Sequence, residues 1–431
     1  MKKPIHVIIV GAGHRSMIYA SHADTHPEEM KIVGVADPDP VRRTMVQEKY
    51  HFGDEMCFEN AEELAKIGKL ADAVINGTMD QQHVQTTVLL LRAGYDVLLE
   101  KPFAVNEEEM RFLVNTAKEC KRKVMICHVL RYTPFYRAVK KAVMEGEIGE
   151  IINIQMTEHV SYHHMAVSYV RGKWGSEKIC GAPMLLAKSC HDMDLMMWMM
   201  EGVKPVELSS FGSDFLFKKD KKPNHAGKKC LVDCPIEKDC IYSAKQNYLK
   251  PPYRWGFYVW ESLEGMELND EIKENSLKED NPYGRCVWEC ERDGNVDHQS
   301  VLIHFENGAT GTFNMIGNAS RPERNIHIIG TKGEIKGIFD DSSLVIRKPC
   351  PQELNGYTEI EISLKNFEDM TGMNGGHGGG DELVSGDFVK YICDEEVSIS
   401  CTALDVSVLG HLAVFRAEKA RKENKIVSMD L

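Results

Sequence analysis

The sequence has no apolar run near the roughly 20 residues that a membrane-spanning helix needs. It also lacks an excess of positive charge, because its 65 acidic and 52 basic residues give a formal net charge of -13 at pH 7. Phosphate contacts require a basic face, so this balance argues against nucleic-acid binding. The opening Met-Lys-Lys-Pro shows no cleavable signal pattern. We therefore expect a cytoplasmic protein with neither a nucleic-acid nor a membrane partner.

The first third of the chain alternates short apolar runs with helical patterns. With 431 residues, 43% of them hydrophobic and 27% charged, the chain has ordinary globular composition and suits two domains. The strand-like runs are 4–10, 31–37, 71–78, 95–100 and 123–128. Strands that alternate with helices predict βαβ units. We expect an α/β Rossmann domain with a doubly wound parallel sheet over residues 1–129.

The pattern changes after about residue 150, where strand-like runs are joined by short turns such as Glu306-Asn307-Gly308. Asn-Gly between two apolar runs is typical of a hairpin. We therefore predict a C-terminal α+β domain over residues 130–431, built on a mostly antiparallel open sheet. Within it, residues 215–285 have the irregular, polar character of an insertion. The glycine-rich stretch 375–381 predicts a lid or a linker.

A glycine turn and a later carboxylate predict a dinucleotide site. Gly11-Ala12-Gly13-His14-Arg15-Ser16 stands where the first strand turns into the first helix, and Asp37 ends the second strand. The glycines let the backbone approach a pyrophosphate, and the carboxylate binds ribose hydroxyls. Asp37 favours NAD because it would repel the 2′-phosphate of NADP. His14 and Arg15 lie near enough in sequence to soften that preference, so NADP stays the alternative.

Further motifs resemble one family of oxidoreductases. Glu100-Lys101-Pro102 stands at the end of the strand-like run 95–100, and Arg131-Tyr132 is followed by Gly146-Glu147-Ile148-Gly149. With the glycine turn, these motifs resemble the Gfo/Idh/MocA family, the relatives of glucose-fructose oxidoreductase and inositol dehydrogenase. The resemblance implies an NAD(P)-dependent enzyme acting on a small sugar-like substrate. It also implies a homodimer or homotetramer, because the family commonly buries the open face of its second sheet between subunits.

Two residues are the catalytic candidates. Lys101 can donate a hydrogen bond to the substrate oxygen as it changes between alcohol and carbonyl. The resemblance implies a second group, His191, as a general acid/base or substrate ligand at the start of a helix. The family often has an aspartate four residues earlier, where this chain has Ala187. Proton transfer therefore rests on Lys101 and His191, or on another group.

The remaining assignments follow from these motifs. We assign cofactor binding to Gly11, Gly13, His14, Arg15, Ser16, Asp37, Thr78, His83, Glu100 and Lys101. Residues 158–174 are rich in histidine and aromatic side chains, which sugar pockets use, although a loop with incidental histidines fits equally well. We assign substrate contacts to Arg131, His164, Tyr169, Arg171 and His191.

The insertion carries three cysteines within eleven residues. Cys230, Cys234 and Cys240 are followed by Cys286, and reduced thiols at such spacing suggest a structural zinc. The spacing is not the usual Cys-x2-Cys, so an iron–sulfur cluster and unligated thiols are the alternatives.

The sequence therefore predicts hydride transfer between nicotinamide and a hydroxyl carbon of a sugar, cyclitol or glycoside. One alternative is an NAD-dependent glycosidase that oxidises its substrate transiently, eliminates the aglycone, adds water and then reduces. Such an enzyme would need an extra base such as Tyr169 or His164. A second alternative is a non-enzymatic sensor of NAD(H) or sugar.

Overall fold

The computed structural model describes residues 3–364 and 380–430, so that most of the glycine-rich stretch 375–381 lies outside the described residues. The chain divides into two compact units. The first contains Met1–Ala138 and Gly375–Phe415, and the second contains Val139–Asn374 and Arg416–Leu431. A returning segment that the sequence analysis assigned to the C-terminal domain thus belongs to the first unit. No helix in the described residues is long and apolar enough to cross a membrane.

The first unit is built on a six-stranded parallel sheet, as predicted. Its strands are β1 (Ile5–Val10), β2 (Met30–Ala36), β3 (Cys57–Phe58), β4 (Ala73–Asn76), β5 (Asp96–Leu99) and β6 (Val124–Ile126). They lie in the order β3-β2-β1-β4-β5-β6 and all pair in parallel. The helices between them are α1 (His14–Ala20), α2 (His22–Thr25), α3 (Pro40–Tyr50), α4 (Ala61–Ile67), α5 (His83–Arg92) and α6 (Glu107–Cys120).

Local sequence explains where several of these helices begin. Asp39, Asn60 and Asn106 stand just before α3, α4 and α6, and each side chain accepts a hydrogen bond from a backbone N–H of the first turn. Such caps satisfy donors that have no partner within the helix. The central strands are buried on both faces, which matches their continuous apolar runs. Because all six strands run in parallel, their carboxyl ends meet at one edge of the sheet.

The second unit is built on a nine-stranded sheet. Its strands are β7 (Ile151–Ser161), β8 (Pro205–Ser213), β9 (His298–Phe305), β10 (Thr310–Ala319), β11 (Glu323–Gly330), β12 (Glu334–Ile338), β13 (Ser343–Pro349), β14 (Tyr357–Glu361) and β15 (Val427–Ser428). They lie in the order β14-β13-β12-β11-β7-β10-β9-β8-β15, and every pair except β7 with β10 is antiparallel. The predicted fold class is confirmed.

Helices complete both units. Those that follow in chain order are α7 (Pro134–Met144), α8 (Tyr162–His164), α9 (Glu177–Cys180), α10 (Met184–Met199), α11 (Gly256–Val259), α12 (Asp270–Lys278), α13 (Gly380–Ile392) and α14 (Leu404–Glu423). α13 packs into the core of the first unit through Val384 and Phe388. α10 packs on the second sheet so closely that a Cβ on Gly311 of β10 would lie 2.7 Å from the sulfur of Met196. Burial on all sides explains why α10 is apolar around most of its circumference.

Candidate active site

The turn after β1 is closed against the turn after β4. Gly11 has φ +77°, and a Cβ on it would lie 2.8 Å from the backbone nitrogen of Thr78 and 2.9 Å from the carbonyl oxygen of Gly77. Only glycine fits such a position. At Gly13, by contrast, a Cβ would meet only the Arg42 guanidinium, at 3.8 Å. The protein itself does not require glycine at position 13, whereas a phosphate group approaching the backbone would.

Ser16 occupies the place of the third glycine of the dinucleotide motif. Its side chain is buried, and its Oγ donates a hydrogen bond to the carbonyl oxygen of Gly11 (2.6 Å). A Cβ on Gly77 would overlap with this hydroxyl, so the pairing of a serine with a glycine keeps α1 close to the sheet. His14, the first residue of α1, is exposed.

Asp37 follows β2 and holds the glycine turn through its carboxylate. Oδ2 accepts from the backbone N–H of Ala12 (2.7 Å) and Oδ1 accepts from that of Asp39 (2.8 Å). A carboxylate offers about four acceptor positions, so about two remain for the hydroxyls of a ribose. Arg43, which the sequence analysis did not identify, donates to the backbone carbonyl of Asp37 (2.6 Å). These groups and the open backbone at Gly13 fit NAD.

A buried ionic network stands at the end of β5. Glu100 accepts from Arg15 Nε (3.0 Å) and from the Tyr19 hydroxyl (2.7 Å), and Arg15 also pairs with Asp381 (2.5 Å). Burial alone would raise the pKa of Glu100, but the Arg15 and Lys101 cations outweigh it and hold the pKa of this carboxyl below its usual value. Arg15 was predicted as a cofactor residue, and the structure directs its guanidinium to this network.

The same network fixes the backbone at Lys101. The N–H of Lys101 donates to Glu100 Oε2 (2.5 Å). His83 is buried, with Nδ1 2.7 Å from the carbonyl oxygen of Pro102 and Nε2 2.9 Å from that of Thr78. His83 therefore joins the residues that follow β4 to those that follow β5. These contacts anchor the main chain on both sides of the Lys101 side chain.

Two further histidines that sequence reasoning missed surround this segment. The backbone N–H of Phe103 donates to Nε2 of His411 (3.2 Å), and the ring of His411 lies 5.5 Å from that of His128. Burial, together with nearby Arg131 and Lys101, lowers the pKa of His128 well below its usual value. A neutral imidazole therefore lies close to the ammonium of Lys101. In the sequence, the only indication of His128 was its position after Cys127, at the end of an apolar run that predicts a strand.

Arg131, predicted as a substrate contact, is buried in the first unit. One of its Nη atoms donates to the carbonyl oxygen of Val406 (3.3 Å), and its own carbonyl accepts from the Ser400 hydroxyl (2.8 Å). These contacts join the residues that follow β6 to residues 400–406, which belong to the returning segment of the first unit.

In the second unit, His191 is buried in the middle of α10 (Met184–Met199), and not at the start of a helix as the resemblance implied. Ala187 stands one helical turn before it, so this turn carries no carboxylate at that position. Residues three and four apart lie on one face of a helix, which brings Lys188 alongside both His191 and Asp192. α10 thus presents a cation, an imidazole and a carboxyl within two turns.

A buried charged cluster connects α10 to the second sheet. Lys188 Nζ lies 3.1 Å from Glu158 Oε1, and Arg324 Nε lies 2.6 Å from Glu158 Oε2 and 3.0 Å from Asp192 Oδ1. Burial lowers the pKa of Lys188. Burial also raises the pKa of Asp192 to about 6, although Arg324 opposes the change. The sequence analysis did not identify this cluster, because Glu158, Lys188 and Arg324 belong to elements that are distant along the chain.

Tyr169 and His164, both predicted substrate contacts, lie in the segment that follows β7. Their ring centroids are 5.7 Å apart. Tyr169 is buried, and burial, the neighbouring Tyr258 and Glu158 raise the pKa of its hydroxyl well above the usual value. The Tyr169 hydroxyl therefore stays protonated near the charged cluster and can donate a hydrogen bond.

Arg171, also predicted to contact substrate, points its guanidinium into the insertion. It donates to the carbonyl oxygens of Arg285 and Tyr242 (2.7 Å each), to the Tyr248 hydroxyl (3.1 Å) and to the sulfur of Cys230 (3.4 Å). These bonds use its Nε and both Nη atoms, so Arg171 joins the segment after β7 to the insertion.

The structure does not support the predicted zinc site. In residues 3–364 and 380–430, no group of three or more His, Cys, Asp or Glu side chains is placed to hold a metal ion, so Cys230, Cys234, Cys240 and Cys286 do not form one. Burial raises the pKa of the Cys240 and Cys286 thiols, which favours their protonated form. The insertion is ordered by a core of its own instead. Its buried residues are Val167, Cys230, Ala244, Tyr248, Trp255, Val259, Leu277 and Tyr283.

Comparisons with known proteins agree with this arrangement. Residues 5–128 match the model of the GFO_IDH_MocA oxidoreductase family, NAD-binding Rossmann fold, and residues 140–397 match the model of its C-terminal alpha/beta domain. A Bacillus subtilis (strain 168) protein that carries the name of an oxidoreductase, YteT, is 25% identical over 368 residues, which cover 84% of this chain and 81% of YteT. Inositol 2-dehydrogenase of Rhizobium meliloti (strain 1021) is 26% identical over 202 residues, or 47% of this chain and 56% of that enzyme.

Solved structures show the same fold at lower identity. An oxidoreductase from Agrobacterium radiobacter, in complex with NAD+, L-tartaric acid and magnesium, has a TM-score of 0.67 at 15% identity, with 99% of both chains covered. Apo scyllo-inositol dehydrogenase from Lactobacillus casei has a TM-score of 0.62 at 16% identity, with 100% of this chain and 99% of that chain covered. The second family model alone spans more than half of the sequence. The chain therefore belongs to the Gfo/Idh/MocA family of oxidoreductases, and its first unit contains the NAD-binding Rossmann domain of that family.

Proposed function

We propose that this protein is an NAD-dependent dehydrogenase that oxidises a carbon-bound hydroxyl of a sugar, cyclitol or glycoside, or reduces the corresponding ketone. The observation that supports this most strongly is the anchoring of Lys101. Its backbone donates to buried Glu100, and His83 contacts the carbonyl of Pro102. In open α/β sheets, ligands bind at the carboxyl ends of the strands, where Lys101 stands. The name of the inositol 2-dehydrogenase relative points to the same substrate class.

The cofactor is NAD in this proposal. The backbone at Gly11 and Gly13 would approach the pyrophosphate, and the Asp37 carboxylate would accept hydrogen bonds from the ribose. When bound, the nicotinamide ring supplies the acceptor or donor of hydride. Asp37 disfavours NADP, because its carboxylate would face the 2′-phosphate. NADP remains the alternative, and Arg42 and Arg43 are the cations close enough to this turn to favour it.

Two side chains handle the substrate proton. Lys101 donates a hydrogen bond to the substrate oxygen and stabilises the charge that develops there as the hydroxyl becomes a carbonyl. His191 accepts the hydroxyl proton and returns it in the reverse direction. Since Ala187 supplies no carboxylate, the charge on the same helix comes from Lys188 and Asp192, which are held by Glu158 and Arg324.

The test uses Lys101→Ala with NAD and a panel of sugars, cyclitols and glycosides. We expect turnover to fall by about two to three orders of magnitude while NAD affinity changes little, since Lys101 acts on the reacting oxygen. NADH absorbance measures turnover, and calorimetry measures NAD binding. Lys66→Ala removes an exposed lysine on α4 and serves as the matched control. Turnover like that of the unmodified protein would remove Lys101 from the mechanism.

The redox-neutral glycosidase is the second candidate. It needs a base for the carbon acid next to the transient ketone, and the raised pKa of Tyr169 makes that residue a poor one. His164 is partly exposed and remains the other named candidate. Release of aglycone without accumulation of NADH would favour this candidate. A sensor would bind NAD and show no turnover with any member of the panel.

The partner in this proposal is a small polyhydroxylated molecule, and the assembly is a homodimer or homotetramer. The second sheet supports an assembly of subunits, because apolar side chains on its less buried face are exposed. Phe211, Leu302 and Ile316 are among these. Such a face is commonly covered in an oligomer.

A further inference from the structure

Five aromatic rings of the second unit form a closed circuit. The centroid distances are 6.3 Å from Tyr169 to Trp174, 5.7 Å from Trp174 to Tyr258 and 6.1 Å from Tyr258 to Trp255. The circuit closes through His164, whose ring lies 4.3 Å from that of Trp255 and 5.7 Å from that of Tyr169. Trp255 and Tyr169 are buried, whereas the other three rings are partly exposed. The circuit therefore has a buried side and a side that reaches solvent.

The insertion contributes two of these rings. Trp255 and Tyr258 belong to residues 215–285, and the other three belong to the segment that follows β7. The indole N–H of Trp255 donates to Nδ1 of His163 (3.0 Å), which joins the two segments. Burial and nearby Arg254 lower the pKa of His163 to about 4, so the neutral ring accepts this bond near pH 7. This hydrogen bond therefore holds the insertion against the segment that carries the assigned substrate contacts.

The backbone that presents Trp255 adopts an unusual conformation. Trp255 has φ +60° and Tyr253 has φ +55°, a region that side chains of this size rarely adopt. Residues in such conformations persist only where the surrounding structure fixes them, and they concentrate at functional sites. Here the fixing contacts are the buried indole, its bond to His163 and the bond from the Arg254 N–H to the Asn247 carbonyl (2.9 Å).

The circuit also borders polar groups. Tyr169 is one of its members, and its hydroxyl lies close enough to Glu158 and Cys190 for both to influence its pKa. Glu158 is paired with Lys188 of α10, three residues from His191. Ring faces next to hydrogen-bonding groups are what a pyranose requires, because one face of the sugar presents C–H groups and its edge presents hydroxyls.

We propose that this aromatic circuit is a carbohydrate-binding platform, and that the insertion acts as a specificity element by placing Tyr258, which stacks on the buried Trp255, against a pyranose ring of the substrate. This inference rests on the proposed function and narrows its substrate class to pyranosides, with cyclitols as weaker ligands. Quaternary ammonium compounds also bind aromatic cages. Lys173 Nζ lies 4.7 Å from the centroid of the Trp174 ring, and this cation would repel a quaternary ammonium group, so we favour the neutral sugar.

The experiment compares Tyr258→Ala and Trp174→Ala with the conservative variant Tyr258→Phe. Binding of methyl pyranosides and disaccharides is followed by tryptophan fluorescence in the presence of NAD, and KM and kcat are measured for any substrate found. We expect the two alanine variants to weaken binding by about tenfold, with most of the loss of kcat/KM in KM. Tyr258→Phe keeps the ring and should bind nearly as well as the unmodified protein.

Tyr357→Ala is the matched control, since it removes a partly exposed tyrosine from β14 of the same unit. Melting temperature and NAD affinity show whether each variant is folded. Sugar binding that is unchanged in both alanine variants would overturn the proposal, and so would binding of choline in preference to pyranosides. Sugar binding without turnover would leave the platform in place while overturning the proposed dehydrogenase, so the two failures are distinguishable.

Discussion

At the scale of single residues, Glu100 pairs with a buried cation and also holds the backbone of Lys101. It is a buried carboxylate that accepts from Arg15, from Tyr19 and from the backbone of Lys101. A buried charge is tolerated only when it is paired and hydrogen-bonded, and here all three partners are donors. The family motif that contains Glu100 could be read from the sequence. Asp381, the second carboxylate that pairs with Arg15, could not, because it is 366 positions from Arg15 along the chain.

We expect Glu100→Gln to destabilise the protein by about 2–4 kcal/mol at pH 7, because Arg15 loses one of its two buried counter-charges. The folded pKa of Glu100 is depressed, so its stabilisation is complete above the unfolded value of about 4.3 and is lost as pH falls below it. Urea unfolding at pH 7 and pH 4 measures both effects, and the difference between variant and unmodified protein should shrink at pH 4.

Glu48→Gln, which replaces an exposed glutamate of α3, is the control for that experiment. A difference that stayed constant between the two pH values would show that the ionised form of Glu100 contributes nothing.

At the scale of elements, α10 brings several titratable side chains of the second unit together. Its buried face carries Lys188, His191 and Asp192, and Arg324 of β11 faces it from the sheet. Each charged group is close to another of opposite sign, so the removal of one changes the pKa of the rest. The sequence analysis gave no bounds for this helix, since it is buried on nearly all sides and shows little amphipathic pattern.

Lys188→Met should move the acidic limb of the pH profile of kcat/KM to higher pH. Asp192 has a pKa of about 6, and Lys188 is one of the cations that lower it. Loss of that cation raises the pKa of Asp192, so more of the carboxyl is protonated at neutral pH. Steady-state rates between pH 5 and pH 8 measure the shift. Lys178→Met, at an exposed position on α9, should leave the limb in place.

At the scale of the whole molecule, each unit owes its stability to contacts between segments that are distant in sequence. α13 returns to the core of the first unit, and the insertion forms a separate core in the second. Arg171 anchors that second core with hydrogen bonds to four partners. The insertion is therefore ordered by an arginine and by apolar packing, where the sequence had suggested a metal.

Arg171→Met should lower the free energy of unfolding by about 3 kcal/mol, because buried carbonyl oxygens lose their donors. Limited proteolysis should then cleave within residues 215–285. Arg321→Met is the control, because Arg321 is fully exposed and surface ion pairs add little. EDTA should leave the melting temperature unchanged, and a large decrease on chelation would contradict our account of the insertion.

Short-range patterns in the sequence determined much of the fold. The apolar run at 4–10 became β1 (Ile5–Val10), the caps at Asn60 and Asn106 began helices, and Asn307-Gly308 turned a hairpin. β8 (Pro205–Ser213) was missed, because its pattern is weak and its partner β9 lies about 90 residues later. β14 was missed because every residue in it is exposed.

The sequence by itself determined the Rossmann domain and the glycine turn, and it singled out Lys101 as a candidate, since each depends on residues that are neighbours along the chain. Only the tertiary structure decided that Arg15 pairs with Glu100, that Arg171 donates hydrogen bonds to the insertion, and that the ring of Trp255 contacts that of His164. The physical reason is that ion pairs and ring contacts act over a few ångströms in space. Backbone pairing and packing choose which distant residues come within that range.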